Sequence, residues 1–282
     1  MIACLKSEPR VLLVYKRSPL LSIKGLPPGS ASVRSFHRNH LNHYASLRQV
    51  ENVLRKYRIR FHKRARSRSI DYRAYDLIIT VGGDGTFFEA ARQIGVTQFI
   101  LGVNSDPTWS VGQFCACDAK GFEKVLSKVC EHKARFSQVH RLRVHTAGCR
   151  VVEALNDILI CHANPAAMSR YMIQCGAICE EHRNSGIWFS TAAGSTGAIF
   201  SAGGRRMPLA SRKIQYQPRE LYYTKGVSYR LKGGLTSQKV VVTSHMTHGC
   251  LFIDGAHIKL PFGYGHRAVI CPSPNYIQLI HA

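Results

Sequence analysis

The stretch LIITVGGDGT at residues 77–86 decides the predicted fold, because it joins a short apolar run to a glycine-rich turn. The run Leu77–Val81 is typical of a strand that is buried on both faces of a parallel sheet. The residues Phe87–Ile94 then predict a helix. A strand that passes through glycines into a helix indicates a turn whose backbone can come close to a ligand.

The neighbouring segments repeat this alternation of strand and helix. Val11–Tyr15 and Phe99–Val103 are further short apolar runs, and Phe122–Cys130 predicts another helix. Between His40 and Tyr57 apolar residues recur every three or four positions, as on one face of a helix. Alternating strands and helices indicate a parallel sheet covered on both faces. We therefore expect a Rossmann-like α/β domain over residues 1–137.

After about residue 140 the pattern changes to short alternating segments separated by glycines and turns. The predicted strands are Arg141–His145, Val151–Ile160, Ser169–Cys175, Ile187–Thr191, Lys239–Thr243 and Leu251–Ile253. This spacing favours a mainly antiparallel β domain over residues 138–267. Residues 268–282 are candidates for packing back onto the first domain.

The chain is strongly basic, with 39 Lys and Arg against 16 Asp and Glu and a formal net charge of +23. Such a field attracts nucleotides, nucleic acid and other polyanions. Twelve Lys or Arg lie in the basic stretch, residues 34–73, against only Glu51 and Asp71. The basic stretch could bind nucleic acid, but no aromatic stacking pattern accompanies it. A solvated helix face followed by a basic loop is the favoured interpretation.

Other features of the composition exclude several classes of protein. The longest apolar runs are far shorter than the ~20 residues of a membrane span. The charged residues Lys6, Glu8 and Arg10 stand where a leader would be apolar, so we expect a cytoplasmic protein, without excluding an organelle. The ten cysteines contain no CxxC pair, which favours reduced structural thiols over a zinc site or a disulfide framework.

The glycine loop, residues 82–86, has the composition of a phosphate-binding turn. Its glycines permit close approach to a phosphate, and the following helix presents free N–H groups and a positive dipole end. Asp84 would repel polyphosphate unless it accepts a hydroxyl proton or holds Mg²⁺. The alternative is an acidic residue that caps the helix. No Lys follows, so the loop is neither a Walker A motif nor GxGxxG.

Two further segments carry polar groups that could bind a nucleotide. The pair Asn156-Asp157 interrupts the apolar run 153–160 and must find partners if it is buried. An amide beside a carboxylate could bind ribose hydroxyls or an adenine edge, although a turn or bulge in a strand is the alternative. The segment STAAGSTGA at residues 190–198 combines small residues with hydroxyls. It leaves room for a flat ring, and a helix N-terminus capped by Ser195 or Thr196 is compatible with this role.

Taken together, these motifs resemble those of the NAD kinases, and most closely the plant-type NADH kinases, from about residue 75 to about residue 260. The resemblance is carried by Val81–Thr86, Leu101–Thr108, Ala154–Ile160, Ser185-Gly186, Thr191–Thr196, Ser201–Gly204, Met207–Leu209 and Ile253–Gly255. The glycine loop alone is shared with diacylglycerol and sphingosine kinases, whereas the combination is more specific.

The resemblance implies a kinase that moves the γ-phosphate of ATP to the 2′-hydroxyl of the adenosine ribose of NADH or NAD. Asp84 matches the residue proposed as general base in the family. The N–H groups of Gly83, Gly85 and Thr86 would hold phosphate oxygens. Mg²⁺ would arrive with ATP, because the sequence shows no carboxylate cluster for a dedicated metal site. Members of the family are commonly homo-oligomers, so we expect a homodimer.

The resemblance also assigns the binding of the dinucleotide. The expected contacts are Asn156, Asp157, Thr191, Ser195, Thr196, Gly197, Ala198 and Ser201. Asp157 replaces the glutamate of many members, and Gly197-Ala198 replaces an Ala-Tyr pair. Ser185 stands where many members carry an aspartate, and the loop after Pro107 is shorter than in plant-type members. We expect the glycine loop and these residues to meet in a cleft between the two domains.

Two alternative functions stay open on the sequence alone. A lipid kinase could share the glycine loop, but it would need an apolar pocket or a membrane-facing surface. A nucleic-acid-binding protein could use the basic stretch, and its binding would then fall steeply with salt.

Overall fold

The computed structural model describes residues 8–18, 31–67, 69–146 and 151–282. They form two compact units, each with its own hydrophobic core. The first unit is the chain up to Gln138 together with Ile277–Ala282, and the second unit is Val139–Tyr276. None of the helices in these ranges is both long enough and apolar enough to span a membrane.

The first unit is built on a parallel sheet. Its elements are β1 Val11–Tyr15, α1 Ala31–Lys56, β2 Phe61–Ala65, β3 Leu77–Gly82, α2 Asp84–Ala91, β4 Phe99–Asn104, β5 Cys115–Asp118 and α3 Phe122–Cys130. Parallel pairs join β2 to β1, β1 to β3, β3 to β4 and β4 to β5. Gln278 and Leu279 return from the far end of the chain and pair in parallel with Phe99 and Ile100. The predicted N-terminal α/β architecture is confirmed.

The order of the sheet fixes where the functional residues lie. The strands β1, β3 and β4 are almost completely buried, which explains their continuous apolar sequences. Because parallel strands run in the same direction, their carboxyl ends meet at one edge. Four residues follow these ends directly: Lys16 after β1, Arg66 after β2, Gly83 after β3 and Ser105 after β4. Ligands of open α/β sheets bind at this kind of edge.

The helices of the first unit differ from the predicted ones at their starts. The long helix α1 begins at Ala31, nine residues before the predicted start at His40. The prediction missed this part because residues 31–39 are mostly polar and show no apolar periodicity. The helix α2 begins at Asp84, three residues before the predicted start, because the glycine loop itself forms the first turn. The helix α3 has the predicted bounds.

Two strands of the first unit are missed by the sequence patterns. The strand β2 has the sequence FHKRA, and its central residues are exposed. It forms an edge of the sheet, where charged side chains prevent pairing with other chains. The strand β5, with the sequence CACD, is only four residues long.

The second unit is made mainly of antiparallel strands. Its elements are β6 Phe136–His145, which enters from the first unit, β7 Val151–Ala154, β8 Asp157–His162, β9 Ser169–Cys175, β10 Ile178–Asn184, β11 Ile187–Ser190, α4 Ala198–Ser201, β12 Ile214–Pro218, β13 Gly234–Thr236, β14 Val240–Ser244, β15 Gly249–Ile253, β16 Ile258–Pro261 and β17 Arg267–Ile280, which leaves into the first unit. One antiparallel sheet has the order β13-β12-β11-β8-β15-β16. Further antiparallel pairs join β10 to β9, β9 to β14, β14 to β17 and β6 to β7. The predicted antiparallel character is confirmed.

The predicted strand over residues 151–160 is wrong in one respect. It is two strands, β7 and β8, separated by a bend at Leu155 and Asn156. Five strands were not predicted: β10, β12, β13, β16 and β17. Three of them, β10, β13 and β16, lie at the ends of the strand orders, where exposed polar residues obscure the alternation.

Candidate active site

The glycine loop lies at the carboxyl end of β3 and forms the first turn of α2. A Cβ atom on Gly82 would collide with the side chain of Thr86. A Cβ atom on Gly83 would lie 2.7 Å from the hydroxyl oxygen of Ser110. Both positions therefore require glycine for lack of space, and the loop presents mainly its backbone to a ligand.

The N–H groups of the glycine loop are not equivalent. Thr86 donates its N–H to the carbonyl of Gly83 at 2.9 Å, so this group is used within the first turn. In the described part of the chain, the N–H groups of Gly83 and Gly85 have no acceptor, as is usual at the start of a helix. Two of the three predicted phosphate donors are thus available.

The carboxylate of Asp84 is held by the loop that follows β4. Its oxygens accept hydrogen bonds from the N–H groups of Gln113 at 3.0 Å and Phe114 at 2.9 Å. The side chain does not cap α2, because the N-cap is Gly83 and no side-chain hydrogen bond is made there. A carboxylate with two such bonds is fixed in orientation and still has lone pairs that can accept a hydroxyl proton.

The loop at residues 105–114 is short and closely tied to the end of β4. The Asn104 amide donates to the carbonyl of Ser110 at 2.9 Å, and its oxygen accepts from the Ser110 hydroxyl at 3.1 Å. Gly112 has a φ of +63°, and a Cβ atom there would collide with the Asn104 side chain. Phe114 stacks on Phe87 with ring centroids 5.5 Å apart. The short loop after Pro107 is therefore the element that positions Asp84.

Asp106 is a second acidic residue at this edge, to which the sequence patterns assign no role. Its carboxylate accepts hydrogen bonds from the Thr108 hydroxyl at 2.6 Å and the Asn39 amide at 2.9 Å. Burial alone would raise the pKa of Asp106, but these bonds and one from Asn42 hold the pKa below its ordinary value. Beside it, Ser105 buries its hydroxyl oxygen, which has no hydrogen-bond partner among the residues that the structure describes.

In the second unit, the Asn-Asp pair lies at the bend between β7 and β8. The Asp254 carboxylate accepts hydrogen bonds from the N–H groups of Asn156 at 2.7 Å, Leu155 at 3.2 Å and Asp157 at 3.4 Å. Asp254 in turn donates its own N–H to the Asp157 carbonyl at 2.9 Å. Its φ of 53° is left-handed, a conformation that Asp tolerates better than most residues. Asp254 thus fixes the bend, a role that the motif Ile253–Gly255 did not reveal.

The other side of the bend is held by the residues that follow β11. The Asn156 carbonyl accepts from the Thr191 N–H at 2.9 Å and from the Ser190 hydroxyl at 3.2 Å. The Thr191 hydroxyl donates to the Leu155 carbonyl at 2.5 Å. A Cβ atom on Gly194 would collide with the Asn156 carbonyl. The structure therefore brings together the Asn-Asp pair and the start of the 190–198 segment.

The hydrogen bonding of the Asn156 side chain differs from that of its backbone. Its amide oxygen Oδ1 is buried and has no hydrogen-bond partner among the described residues. A buried acceptor without a donor costs about 1–3 kcal/mol, so such groups are rare in native proteins. An amide oxygen in this state can be satisfied by a hydroxyl or amino group of a ligand.

The remaining predicted residues divide into a buried and an exposed group. Ser195 is fully buried; its hydroxyl donates to the Ala192 carbonyl at 2.7 Å and accepts from the Met207 N–H at 2.9 Å. It therefore supports the segment from inside and caps no helix, since the N-cap of α4 is Gly197. Three of the predicted residues, Gly197, Ala198 and Ser201, are exposed, and Thr196 is half-buried.

Next to this exposed group stands an aromatic side chain. Phe200 is 43% exposed, and the Arg206 guanidinium lies over its ring, 5.0 Å from the centroid. This cation–π pair places an aromatic ring and a positive charge beside the exposed residues of the segment.

In sequence, the chain is similar to NAD and NADH kinases. Residues 31–134 match the family model described as the ATP-NAD kinase N-terminal domain. The chain is 32% identical over 229 residues to a probable NADH kinase of Oryza sativa subsp. japonica, covering 73% of this chain and 70% of that protein. It is 31% identical over 226 residues to an NADH kinase of Arabidopsis thaliana, covering 66% and 67%.

Two solved structures have a similar fold. An NAD kinase from Archaeoglobus fulgidus in complex with ATP aligns with a TM-score of 0.70 at 20% identity, covering 96% of this chain and 92% of that one. A yeast NADH kinase complexed with NADH aligns with a TM-score of 0.71 at 16% identity, covering 97% and 83%.

Proposed function

Because this chain belongs to the NAD kinase family, we propose that it is an ATP-dependent kinase that phosphorylates NADH or NAD. The similar structures contain ATP in one case and NADH in the other, which fits a donor nucleotide and an acceptor dinucleotide. The observation that carries the proposal in this chain is the fixed position of the Asp84 carboxylate. It is the one ionisable side chain of the glycine loop, and two N–H groups hold it beside loop N–H groups that have no acceptor.

The acceptor atom in this proposal is the 2′-hydroxyl of the adenosine ribose. Asp84 takes the proton of this hydroxyl, or orients it, while the oxygen attacks the γ-phosphorus in line with the leaving oxygen of ADP. The hydrogen bonds from Gln113 and Phe114 leave Asp84 few conformations, so little reorganisation is needed when the hydroxyl arrives.

The donor phosphates are bound by the backbone of the glycine loop. The N–H groups of Gly83 and Gly85 are the available donors, and the N-terminus of α2 adds its dipole. The hydroxyl of Thr86 is buried beneath the loop and supports its shape. The described residues contain no group of three His, Cys, Asp or Glu that could hold a metal ion, so we assign Mg²⁺ to the nucleotide.

The dinucleotide is bound by residues of the second unit. Asn156 offers its buried amide oxygen to a hydroxyl or amino group of the adenosine, with Asp157 as the neighbouring carboxylate. Thr191 and Ser195 set the backbone of this surface through their hydrogen bonds. Its accessible part is formed by Thr196, Gly197, Ala198 and Ser201.

The choice between NADH and NAD follows from the charge near the nicotinamide. Asp157 replaces a glutamate of many members, and Ser185 stands where many carry an aspartate. Asp157 keeps the charge of the glutamate that it replaces, so Ser185 accounts for one carboxylate fewer. The positive ring of NAD then gains less than in those members, so the neutral ring of NADH is accepted. The kcat/KM values for the two substrates test this, and a strong preference for NAD would contradict it.

The two alternatives raised by the sequence gain no support from the relatives named above, which are NAD and NADH kinases. We further expect a homodimer in the cytoplasm. Light scattering of the purified chain and fractionation of the source cells measure these two properties.

The decisive experiment is a coupled assay with ATP and Mg²⁺, in which NAD and NADH are offered separately and NADP(H) is measured. We expect NADP(H) to form with at least one of them. Sphingosine and diacylglycerol serve as control acceptors. ATP consumption with a lipid and none with either dinucleotide would show that the proposed function is wrong.

A further inference from the structure

Two cationic side chains follow the strands next to β3 and lie along the same edge as the glycine loop. Arg66 comes directly after β2 and donates its N–H to the Tyr15 carbonyl at 2.8 Å. Lys16 comes directly after β1 and donates its N–H to the Val81 carbonyl at 3.3 Å. The backbone of both residues is thus tied to the neighbouring strand, next to the point where Gly83 begins its turn.

The Arg66 guanidinium lies beside the open part of the glycine loop. A Cβ atom placed on Gly85 would be 3.7 Å from Nη1 of Arg66, and that nitrogen is its nearest neighbour. Of the described carboxylates, Glu89 is the one that pairs with Arg66, at 3.9 Å from Nε, and the arginine side chain is 42% exposed. The guanidinium therefore stands beside Gly85, and in the described part of the chain most of its donors are unused.

Lys16 is held at the same edge by a chain of buried polar groups. Its ammonium donates to the Asn39 amide oxygen at 3.1 Å, and the Asn39 amide donates to the Asp106 carboxylate at 2.9 Å. Asn39 is buried, so this chain is shielded from water. The fully buried His43 donates from Nε2 to the Lys16 carbonyl at 2.9 Å, and burial together with the Lys16 charge lowers the pKa of His43 to about 4. A neutral His43 supports Lys16 without adding a further positive charge.

The two cations are close enough to act on each other. Burial lowers the pKa of Lys16, the Asp106 carboxylate opposes this shift, and the positive charge of Arg66 adds to it. Two carboxylates offset part of this repulsion, Asp106 at Lys16 and Glu89, which pairs with Arg66 at 3.9 Å. An anion that binds between or above the two cations would relieve the remaining repulsion between them.

From this geometry we infer that Arg66 and Lys16 bind the polyphosphate of the donor nucleotide, with Asn39 as the residue that positions Lys16. This inference rests on the proposed function and extends it to residues for which the sequence motifs give no role. A guanidinium presents a planar fork that matches phosphate oxygens, and an ammonium acts as a point charge. Together with the loop N–H groups they surround an anion with donors from three adjacent strand ends.

The experiment measures the binding of Mg²⁺-ATP, ADP and AMP by calorimetry to the wild type and to the variants Arg66→Gln, Arg66→Lys and Lys16→Gln. Arg66→Gln should weaken ATP binding about tenfold or more, because it removes a charge-assisted phosphate contact, and leave AMP binding within about twofold. Arg66→Lys should recover part of the loss. In steady-state kinetics the KM for ATP should rise while the KM for NADH stays within about twofold.

The matched control is Arg64→Gln, two residues away on β2. Arg64 is exposed, and its guanidinium bonds the carbonyl of the adjacent Lys63. The Arg64→Gln variant removes one positive charge, as Arg66→Gln does, and should leave the affinities for all three nucleotides unchanged. An equal effect of Arg64→Gln and Arg66→Gln would overturn the inference, because it would show a general field effect.

The outcomes for the inference and for the proposed function are separable. If the wild type forms NADP(H) but Arg66→Gln and Lys16→Gln bind ATP, ADP and AMP as tightly as it does, the phosphate site is wrong. Equal loss of ATP and AMP binding also overturns it. If the wild type binds ATP with the predicted dependence on phosphate number but forms no NADP(H), the phosphate site stands and the proposed function fails.

Discussion

The glycine loop of the first unit and the Asn-Asp bend of the second unit use backbone and side chain in opposite ways. In the glycine loop the Asp84 side chain is held by two N–H groups, while the N–H groups of Gly83 and Gly85 find no acceptor within the described ranges. At the bend the backbone of Asn156 is bonded on both sides, by Asp254 and by Thr191, while its amide oxygen has no donor in the described part of the chain.

This difference fits what each region would have to recognise. A phosphate group is a small anion that backbone N–H groups bind well, whatever the rest of the ligand is. An adenosine has a specific set of donors and acceptors, and side-chain amides can match them. We therefore propose that the first region binds charge and performs chemistry, and that the second selects the acceptor. The predictions below test this division.

The largest effect is expected at the held side chain of the first region. Asp84→Asn should lower kcat by about 10²–10⁴-fold, as is typical for the loss of a general base, with smaller changes in both KM values. Asp118→Asn is the control, because the Asp118 carboxylate also accepts a backbone N–H, from Gly121, in the same unit. A kcat for Asp84→Asn within about threefold of the wild type would remove Asp84 from the chemistry.

The next effect concerns the held backbone of the second region. Asp254→Ala removes the acceptor of three N–H groups and places Ala in a left-handed conformation, so the free energy of unfolding should fall by about 1–3 kcal/mol. The KM for NADH should rise about tenfold or more, as the loss of about 1.4 kcal/mol implies, while the KM for ATP stays nearly constant.

Asp254→Asn is the informative companion variant, because an amide oxygen still accepts hydrogen bonds and Asn tolerates the left-handed region. It should recover much of the affinity for NADH. If Asp254→Ala loses stability but keeps its KM for NADH, the backbone clamp serves folding alone.

A smaller effect is expected from the free side chain itself. Asn156→Ala should raise the KM for NADH by about tenfold, which corresponds to one lost hydrogen bond of about 1.4 kcal/mol. The free energy of unfolding should not decrease, because the substitution removes a buried acceptor that has no partner. Asn164→Ala is the control, since Asn164 is exposed and bonds the Ala166 N–H. A thermal scan in which Asn156→Ala loses several degrees without any change in KM would contradict the division.

The smallest effect is expected for the choice between NAD and NADH, which we assign to the second region. Ser185→Asp adds a carboxylate at a half-buried position and should shift the ratio of kcat/KM for NAD over NADH upward by about fivefold, as expected for about 1 kcal/mol of attraction. Ser185→Asn is the uncharged control. Equal shifts for the two variants would show that shape, not charge, sets the preference.

The sequence predicted the parts of the fold and site that depend on consecutive residues. The strands β1, β3 and β4 are almost entirely apolar, so each is recognisable by itself. The glycine loop and the Asn-Asp pair are compact motifs, and their composition indicates nucleotide chemistry wherever they lie in the fold.

The parts that could not be predicted depend on partners far apart in the chain. Asp84 is held by an N–H group 30 residues away, and the Asn156 N–H by a carboxylate 98 residues away. No local pattern encodes such distances. Arg66 was hidden for another reason: a run of many cations does not show which of them faces the glycine loop, since that depends on where β2 ends.

The return of Ile277–Ala282 to the first unit has a consequence for co-translational folding. Gln278 and Leu279 cover the edge of β4, and Ile280 belongs to the core of that unit. At a synthesis rate of about 5–20 residues per second, the ribosome needs on the order of ten seconds to make the intervening second unit. For this time Phe99 and Ile100, at the apolar start of β4, lack their partner strand. We therefore expect the emerging chain to depend on protection by a holding chaperone until residues 277–282 have left the ribosome.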